Sequence, residues 1–565
     1  MKKIILSLVI LMLLASCLEL EEEPIGKVAP EGYFKTEKDM EGFVLGMYAT
    51  ITASRSPFAV FLMVDILSDD MDISQVNFRP YRFFLNQYEF NASNTIAGNS
   101  DGDYWVACYS AINCANIIIE NAPLMISIPE EKRLAFEAEA RYIRAFNYFH
   151  LVRVNGDVPY NARPMADPKE GKTKPRDSAE EIYRAIVEDL KFAIANLPDQ
   201  AATTNSQGFS VRSRATRGAA TGLLAKVHLT LTTYNKIYAD AYEYRSINTG
   251  LIDSLATGFG SHWEAAAYYA KQVIQNKDAF GYELEPDFQN LFNGEKGDSK
   301  EFLFSVDFAG NVQGPNVAGQ DYDGWHNNNN GGALWIPQET GGWGTAATTM
   351  DLFNLYHWGD YRRDVTFDIT CYLYEDAPHY NEMTGKAEGK ILDSYHYSRI
   401  DALPNPYIAK WCRYPGIVES WPDNTRNSMN YPQMRYAEVL LIAAEAQNQL
   451  GQTTEAIGYL NELRARARKR SMNPDDDSTY PVDLSTGMSQ DEATKAIWDE
   501  WRLELAFEWK RWFNLVRCDS LLPVISRLVP FVTGVPVNPQ PYHILLPIPQ
   551  IEMDNASALV QNKGY

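Results

Sequence analysis

Three tryptophans in one irregular segment, between Tyr322 and Trp343, are the residues best suited to hold a ligand. Trp325, Trp335 and Trp343 are separated by glycines and asparagines, and the segment has neither helical nor alternating periodicity. Rings in such a setting are not ordinary core. A flat aromatic face packs against the C–H face of a sugar, while amide, hydroxyl and imidazole groups bind its hydroxyls. The segment is therefore predicted to be a ligand-binding loop.

The polar rim of this site is predicted from the same segment, and Trp325 is the first choice for the ring that contacts the ligand. The three rim candidates carry side chains that hydrogen-bond to hydroxyls: Tyr322, His326 and Asn327. One alternative stays open, since loop tryptophans also pin loops to a scaffold or pack against a protein partner.

A second segment, residues 77–82, has the same mixture of aromatic and polar side chains. Arg79 and Tyr81 are its candidate ligand contacts. Trp105 is different, because it shares a helical register with Tyr109 and Ile112, and we expect it to lie in the core.

The residue types that usually carry catalysis show no catalytic spacing. The eight histidines are scattered, without a metal-binding pair, and no nucleophile elbow, phosphate loop or dinucleotide fingerprint is present. Among 73 acidic residues, an adjacent pair such as Asp69 and Asp70 does not by itself indicate a glycosidase. We expect no enzyme activity, no cofactor and no metal site.

The amino terminus reads as an export signal that ends at a cysteine. Lys2 and Lys3 precede an apolar run, and residues 14–17 read L-A-S-C. This ending resembles the bacterial lipobox, in which the cysteine is acylated, so Cys17 is the predicted lipidation site. The alternative is a soluble exported protein cut near Ala15. The acidic stretch after Cys17 resembles the tag that sends lipoproteins of Bacteroidetes-type bacteria to the outer face of the outer membrane.

Charge and cysteine usage exclude further classes of protein. The chain has 565 residues and a net charge of −22, without a basic run, so binding to nucleic acid is not expected. No later window is apolar enough to span a bilayer, and the membrane is expected to be reached only through the lipid. Cys108 and Cys114 point to different sides of one predicted helix and cannot form a disulfide while it is intact.

Helical periodicity dominates both ends of the mature chain. It predicts helices near residues 36–51, 105–116, 131–152, 178–197 and 213–231, with a capping box at Ser178–Glu181. Two more helices meet at Gly451 in a hairpin that resembles a tetratricopeptide unit. Between about residues 280 and 430 the helical pattern is replaced by irregular segments and one short predicted strand, at residues 302–308. The irregular segments are predicted to be binding loops.

Charged residues recur on the core faces of these helices. We interpret Arg141, Arg144, Arg435, Glu438 and Glu508 as buried, hydrogen-bonded pairs that lock helices together, and Arg502 in the same way.

Four strings, in this order, resemble the SusD/RagB family of outer-membrane nutrient-binding lipoproteins. Residues 141–159 match R-x-x-R-A-x-x-Y-x-x-L-x-x-x-x-G-D-V-P, and residues 435–441 read R-Y-A-E-V-L-L, followed by A-E-A and N-E-L-R. Residues 502–508 match the family's R-x-E-L-x-x-E helix, and the end of the chain matches P-I-P-x-x-E and Q-N-x-G-Y. Trp501 departs from the family, which usually has a charged residue there.

The resemblance implies a fold and a function. The fold is mostly α, with tetratricopeptide-like hairpins and an irregular, loop-rich half containing small strands. The expected units are a signal peptide (1–16), a tether (17–30) and one SusD-like unit (31–565). That unit has an amino-terminal part to about 235, a carboxy-terminal part from about 260, and binding loops at about 300–430. The function is capture of a glycan outside the cell and its delivery to a SusC-like, TonB-dependent transporter. A peptide-binding member of the family and a protein-binding scaffold remain alternatives.

Overall fold

The computed structural model describes sixteen segments of the chain. The described residues are 33–52, 64–73, 80–93, 104–165, 167–200, 214–292, 299–306, 346–357, 359–368, 373–374, 391–393, 407–408, 410, 430–468, 480–530 and 533–565. Cys17 and its tether, the predicted lipidation site, lie outside them.

Helices make up most of the described chain. The amino-terminal helices are α1 Glu37–Thr52, α2 Pro80–Asn86, α3 Tyr104–Asn121, α4 Glu130–Asn155, α5 Pro168–Thr173, α6 Ala179–Asn196, α7 Arg217–Leu231, α8 Tyr234–Ile237, α9 Thr249–Ser254, α10 His262–Gln275 and α11 Lys277–Phe280. The remaining helices are α12 Met350–Leu355, α13 Tyr361–Thr366, α14 Tyr436–Gln449, α15 Thr453–Ala467, α16 Gln490–Leu505, α17 Arg511–Arg517, α18 Leu521–Ile525 and α19 Gln550–Asn555. Short 3₁₀ turns occupy Ala122–Leu124, Phe288–Phe292 and Pro541–Ile544.

The strands are short and pair in twos. They are β1 Met71–Ile73, β2 Phe302–Val306, β3 Ala346–Thr348, β4 Phe367–Asp368, β5 Leu373–Tyr374, β6 Ile391–Asp393, β7 Tyr407–Ile408 and β8 Tyr431–Arg435. The antiparallel pairs are β1 with β3, β2 with β8, β4 with β7, and β5 with β6. The predicted mostly α class with small strands is confirmed.

Helix α4 is the centre of the amino-terminal part, and α3 and α6 pack against it. It spans 26 residues, and nearly every side chain from Phe136 onward is buried. A helix buried on all sides needs neighbours all around it. Its end is fixed by Gly156, which has φ of +72° and lies so close to Tyr242 that a side chain would clash there.

The predicted hairpin around Gly451 is present. Helices α14 and α15 pack against each other, and Gly451 has φ of +79° at the turn between them, a conformation that glycine adopts without steric cost. Ala443 and Ala446 on α14 and Ala456 on α15 are fully buried, so small residues occupy buried positions on both helices, as the sequence indicated.

Two local predictions need correction. Ser178 caps α6 by accepting a hydrogen bond from the Glu181 N–H at 3.3 Å, but the Glu181 carboxylate binds Arg184 instead of completing a capping box. The reciprocal box occurs at Ser489 and Glu492, at the start of α16.

The second correction concerns the predicted R-x-E-L-x-x-E helix, which does not reach Glu508. Helix α16 ends at Leu505, and the next residues include Phe507 and Trp509 with φ of +58° and +57°. A left-handed backbone at bulky residues cannot continue a helix. This break turns the Glu508 carboxylate toward Arg435 and Lys410.

One continuous hydrophobic core joins the two parts of the chain. It runs from Met40 in α1 to Leu559 near the carboxyl end, and Trp512 is among its largest fully buried side chains. Trp105, 6% exposed, belongs to it, as predicted. Cys108 and Cys114 are free thiols within α3. The proposed division near residues 235–260 stays a prediction.

Candidate functional site

The β1–β3 sheet is the described element closest in the chain to both candidate binding segments. The strands are antiparallel, with Ile73 opposite Ala346 and Met71 opposite Thr348. Residues 77–82 follow the Ile73 end of β1, and the segment that holds the three loop tryptophans ends just before Ala346. Both segments therefore join the described fold at the same end of one two-stranded sheet. The two segments are about 240 residues apart in the chain.

The candidate contacts themselves lie almost entirely outside the described residues. This holds for the aromatic and polar residues of the long segment and for the arginine of the short one: Tyr322, Trp325, His326, Asn327, Trp335, Trp343 and Arg79. Tyr81 is a backbone position in α2. Their roles as ligand contacts stay predictions.

Two arginines and three aspartates fix the base of this sheet, and we call this group the sheet-base cluster. Arg502 on α16 contacts Asp70 at 2.5 Å, Asp351 at 2.5 Å and Asp69 at 3.1 Å. Arg511 on α17 contacts Asp69 at 2.7 Å. The two arginines thus hold the residues just before β1 and just after β3 against the helical scaffold.

Backbone contacts complete the same junction. The Thr349 hydroxyl donates to the Asp69 carbonyl at 2.6 Å, and the Thr349 N–H donates to the Asp70 carbonyl at 3.0 Å. The Thr349 hydroxyl oxygen also accepts from the Leu352 N–H at 3.3 Å, which caps α12. One threonine therefore links β1, β3 and the helix after β3.

The pKa values of the two adjacent aspartates in the sheet-base cluster are shifted in opposite directions. Burial alone would raise the pKa of Asp69, but its hydrogen bond from Arg511 and the charge of Arg502 outweigh burial and lower it. Burial raises the pKa of Asp70, with Asp69 adding to the rise and Arg502 opposing it. The Asp70 Oδ2 atom has no hydrogen-bond partner in the described structure.

A second and larger group of charges lies deeper, and we call it the core ionic cluster. It has five cations and five acids: Arg362, Lys410, Arg435, Arg464, Arg466, Glu301, Asp360, Glu500, Glu504 and Glu508. Arg435 contacts Glu301, Glu504 and Glu508, the last at 2.7 Å. Arg362, fully buried, contacts Glu500 at 2.6 Å and Glu504 at 3.0 Å.

The core ionic cluster confirms the structural interpretation of the buried charges. Burial by itself would raise the pKa of Glu504, yet the charges of Arg466, Arg435 and Arg362 hold it well below its usual range. The same interpretation holds in the amino-terminal part, where Arg144 makes two hydrogen bonds of 2.8 Å to Asp189.

Among the described residues, no group of three or more histidine, cysteine or acidic side chains is arranged to hold a metal ion. No helix in that same part of the chain is long and apolar enough to cross a bilayer.

Sequence reasoning missed the sheet-base cluster. The sequence presents Asp69 and Asp70 only as one acidic pair among many, and Arg502 only as a residue that joins helices. The signal was local: residues 64–73 read V-D-I-L-S-D-D-M-D-I, which places acids inside an apolar stretch. Buried acids in such a stretch require cationic partners from elsewhere in the fold.

Two family models match the chain. The model described as "SusD family" matches residues 300–565, and the model described as "Starch-binding associating with outer membrane" matches residues 27–229. Among curated proteins, "SusD-like protein P2" of Formosa agariphila is 32% identical and covers 100% of both chains. "SusD-like protein P25" of the same organism is 27% identical and covers 97% of each.

Solved structures share the fold. "Laminarin binding SusD-like protein" superposes with a TM-score of 0.67 at 21% identity, covering 94% of this chain and 100% of its own. "Surface glycan-binding protein A from Bacteroides thetaiotaomicron in complex with laminarihexaose" superposes with a TM-score of 0.68 at 20% identity, with the same coverage.

Proposed function

The chain belongs to the SusD family, and on that premise we propose that it is a surface lipoprotein that captures a glycan and passes it to a SusC-like, TonB-dependent transporter. A lipid-anchored protein has no channel of its own, so uptake requires a second protein that spans the outer membrane. The relatives that bind laminarin or hold laminarihexaose support the glycan part of this proposal.

The observation that carries the proposal is that two aromatic segments join the described fold at the same end of the β1–β3 sheet. Ile73 and Ala346 are paired there, residues 77–82 follow one, and the segment ending in Trp343 precedes the other. A glycan cleft needs several flat rings and a few polar groups close together. The sheet supplies a common base for both sets.

In the proposed site, the loop tryptophans are the platforms and the other candidates form the rim. Trp325, Trp335 and Trp343 stack on sugar faces. The rim residues that hydrogen-bond to sugar hydroxyls are Tyr322, His326, Asn327, Arg79 and Tyr81. The sheet-base cluster does not touch the ligand in this proposal; it keeps the two segments in register.

Binding without catalysis fits the described carboxylates. In the core ionic cluster the acids contact arginines or a lysine, as in structural ion pairs. In the sheet-base cluster, Asp70, the acid with the raised pKa, is buried and contacts Arg502, so it also has a structural partner. We propose that the protein is not an enzyme and needs no cofactor.

Attachment to the outer membrane is proposed to occur through acylated Cys17, with the folded part facing outward. Cys17→Ala should release a folded, soluble protein, because no described segment can replace the lipid. Fractionation of cells that lack the transporter is the measurement. Membrane association of the variant in those cells would disprove lipid-only anchoring.

Calorimetry with a panel of oligosaccharides, laminarihexaose among them, tests the glycan proposal. Alanine at Trp325, Trp335 or Trp343 should weaken binding at least tenfold for one or more positions, since a ring–sugar contact is lost, without changing the melting temperature. Trp263→Ala on α10, a half-buried tryptophan of the scaffold, is the matched control and should bind as the parent does.

The competing functions are outcomes of the same measurement. Heat of binding with a peptide panel and none with glycans would identify a peptide-binding member of the family. No binding to either, together with capture of the transporter alone, would identify a protein-binding scaffold. Unchanged glycan binding in all three tryptophan variants would disprove the site while leaving the family unaffected.

A further inference from the structure

A small cavity lies where the amino-terminal helices meet the carboxy-terminal part, and we call it the junction cavity. Its walls come from α4, α7, β8 and the segment between α16 and α17. The polar lining includes His150 and Arg153 of α4, Lys226 of α7, and Lys510. Its volume of about 20 Å³ exceeds the roughly 10–15 Å³ that one water molecule needs and leaves room for one small ion.

The cavity has more positive than negative charge. Lys226 contacts Glu438 at 2.6 Å, and Lys510 contacts the same carboxylate at 3.2 Å. Arg153, only 4% exposed, has no carboxylate within 4.0 Å in the described structure. Three cations therefore share one acid.

Arg153 is held by neutral groups only. It donates to the Phe149 carbonyl at 3.1 Å and to His150 Nδ1 at 3.0 Å, and its guanidinium lies 3.9 and 4.0 Å from the ring centres of Phe149 and Phe513. Because His150 Nδ1 accepts this bond, the proton of the neutral imidazole is on Nε2. His150 thus adds an N–H donor to the lining.

The other acids near the cavity do not compensate this charge. Glu508 lines the cavity, but its oxygens contact Lys410 at 2.6 Å and Arg435 at 2.7 Å, within the balanced core ionic cluster. Asp65 accepts from the Trp509 N–H at 3.3 Å, and burial raises its pKa well above the usual range, which favours the neutral acid. Arg153 therefore remains a buried cation without a carboxylate, and the lining keeps an excess of positive charge.

We propose that the junction cavity binds one small monovalent inorganic anion, of which chloride is the common example. A buried cation without a counter-charge is costly, whereas an ion that brings the opposite charge and accepts N–H donors removes that cost. The proposal rests on the cavity, its cationic lining and the missing carboxylate. It does not depend on the proposed glycan function.

The pKa shifts of the lining groups agree with a cavity whose positive charge lacks a full counter-charge. Burial lowers the pKa of Arg153 to about 10, although Tyr183 and Glu438 oppose it. Burial also lowers the pKa of Lys226 well below its usual range, with Glu438 opposing and Lys510 adding to the fall. An anion in the cavity would reverse both shifts.

Bound there, the anion connects the two parts of the fold. It would lie between α4 and α7 on one side and Lys510 on the other, so ion binding and cohesion of the parts are linked. A ligand that binds only the folded state stabilises it by mass action. Chloride should therefore raise the melting temperature at constant ionic strength.

Thermal unfolding of the full mature protein in chloride–gluconate mixtures of fixed ionic strength tests the proposal. Above the dissociation constant, each tenfold rise in chloride should raise the melting temperature by about 1 °C for a chain of this size. Arg153→Met should abolish the response. The control Arg184→Met, at an exposed ion pair on α6, should keep it. A parent without chloride dependence, or an equal response in Arg153→Met, would overturn the proposal.

Bromide diffraction keeps the proposal testable if Arg153→Met does not fold. Crystals of the parent protein soaked in bromide should give an anomalous peak in the junction cavity, between Arg153 and Lys510. No peak there, in crystals that bind bromide elsewhere, would overturn the site.

Discussion

The core ionic cluster and the sheet-base cluster use the same arginine–carboxylate chemistry for different purposes. In the core ionic cluster, Arg362 and Glu504 are both 0% exposed, and five cations face five acids. In the sheet-base cluster, Asp351 is 70% exposed while Arg502 is 8% exposed. The first joins helices in the interior, whereas the second reaches from the interior to the surface, at the end of the β1–β3 sheet opposite to the one that the candidate binding segments join. Burial, not residue type, distinguishes the two clusters.

Arg435→Met is the sharpest way to break the first cluster and has the largest expected effect. It leaves Glu301, Glu504 and Glu508 with too little positive charge, and removal of one partner from a buried pair costs about 3–5 kcal/mol. Chemical unfolding should show this loss, while glycan affinity of the folded fraction should stay unchanged. Lost affinity at full folding would show that the core ionic cluster also shapes the site.

Acid should weaken the same cluster by a smaller amount, because both partners stay in place. Burial opposes the shift, yet arginine charges hold the pKa values of Glu504 and Glu508 below the unfolded value near 4.5. Their contribution is therefore present above that pH and is lost as the pH falls through the lower folded values. The free energy of unfolding should decline steadily below about pH 4.5. Stability that is constant from pH 6 to 3 would contradict this.

Arg502→Met tests the second cluster. It removes the contacts to Asp70 and Asp351 and leaves Arg511 on Asp69. We expect a loss of about 2–3 kcal/mol in unfolding free energy, since Asp70 is buried. We also expect glycan affinity to fall about tenfold, because Arg502 anchors the far end of the sheet that both candidate segments join, and loss of that anchor loosens the sheet. Calorimetry on Arg502→Met and Arg435→Met in parallel compares the two clusters directly. An unchanged glycan affinity in Arg502→Met would show that Arg502 is purely structural.

Asp351→Asn has the smallest expected effect. Its carboxylate is largely exposed, and exposed ion pairs contribute about 0–1 kcal/mol. Melting temperature and glycan affinity should both stay close to those of the parent. A loss as large as that of Arg502→Met would show that the exposed end of the cluster dominates.

Much of the helical part could be predicted from sequence alone. The periodicity in residues 131–152 and 436–450 and the glycine at 451 are local signals, so α4, α14 and the turn to α15 followed from them. The end of α16 did not, because residues 502–508 look helical until tertiary contacts pull Glu508 toward Arg435 and Lys410. At such a point, the buried ion pair overrides the local helix propensity.

For the candidate site, the sequence by itself identified two aromatic segments and the residues in them that suit a sugar. It could not place those segments together, because strand pairing between residues 71–73 and 346–348 depends on contacts far apart in the chain. The tertiary structure decided that one segment follows and the other precedes the same end of one sheet, and it decided which acids contact which arginines. The sequence determines the type of each side chain. The role of a charge depends on its burial and its partner, and both arise only when distant segments pack together.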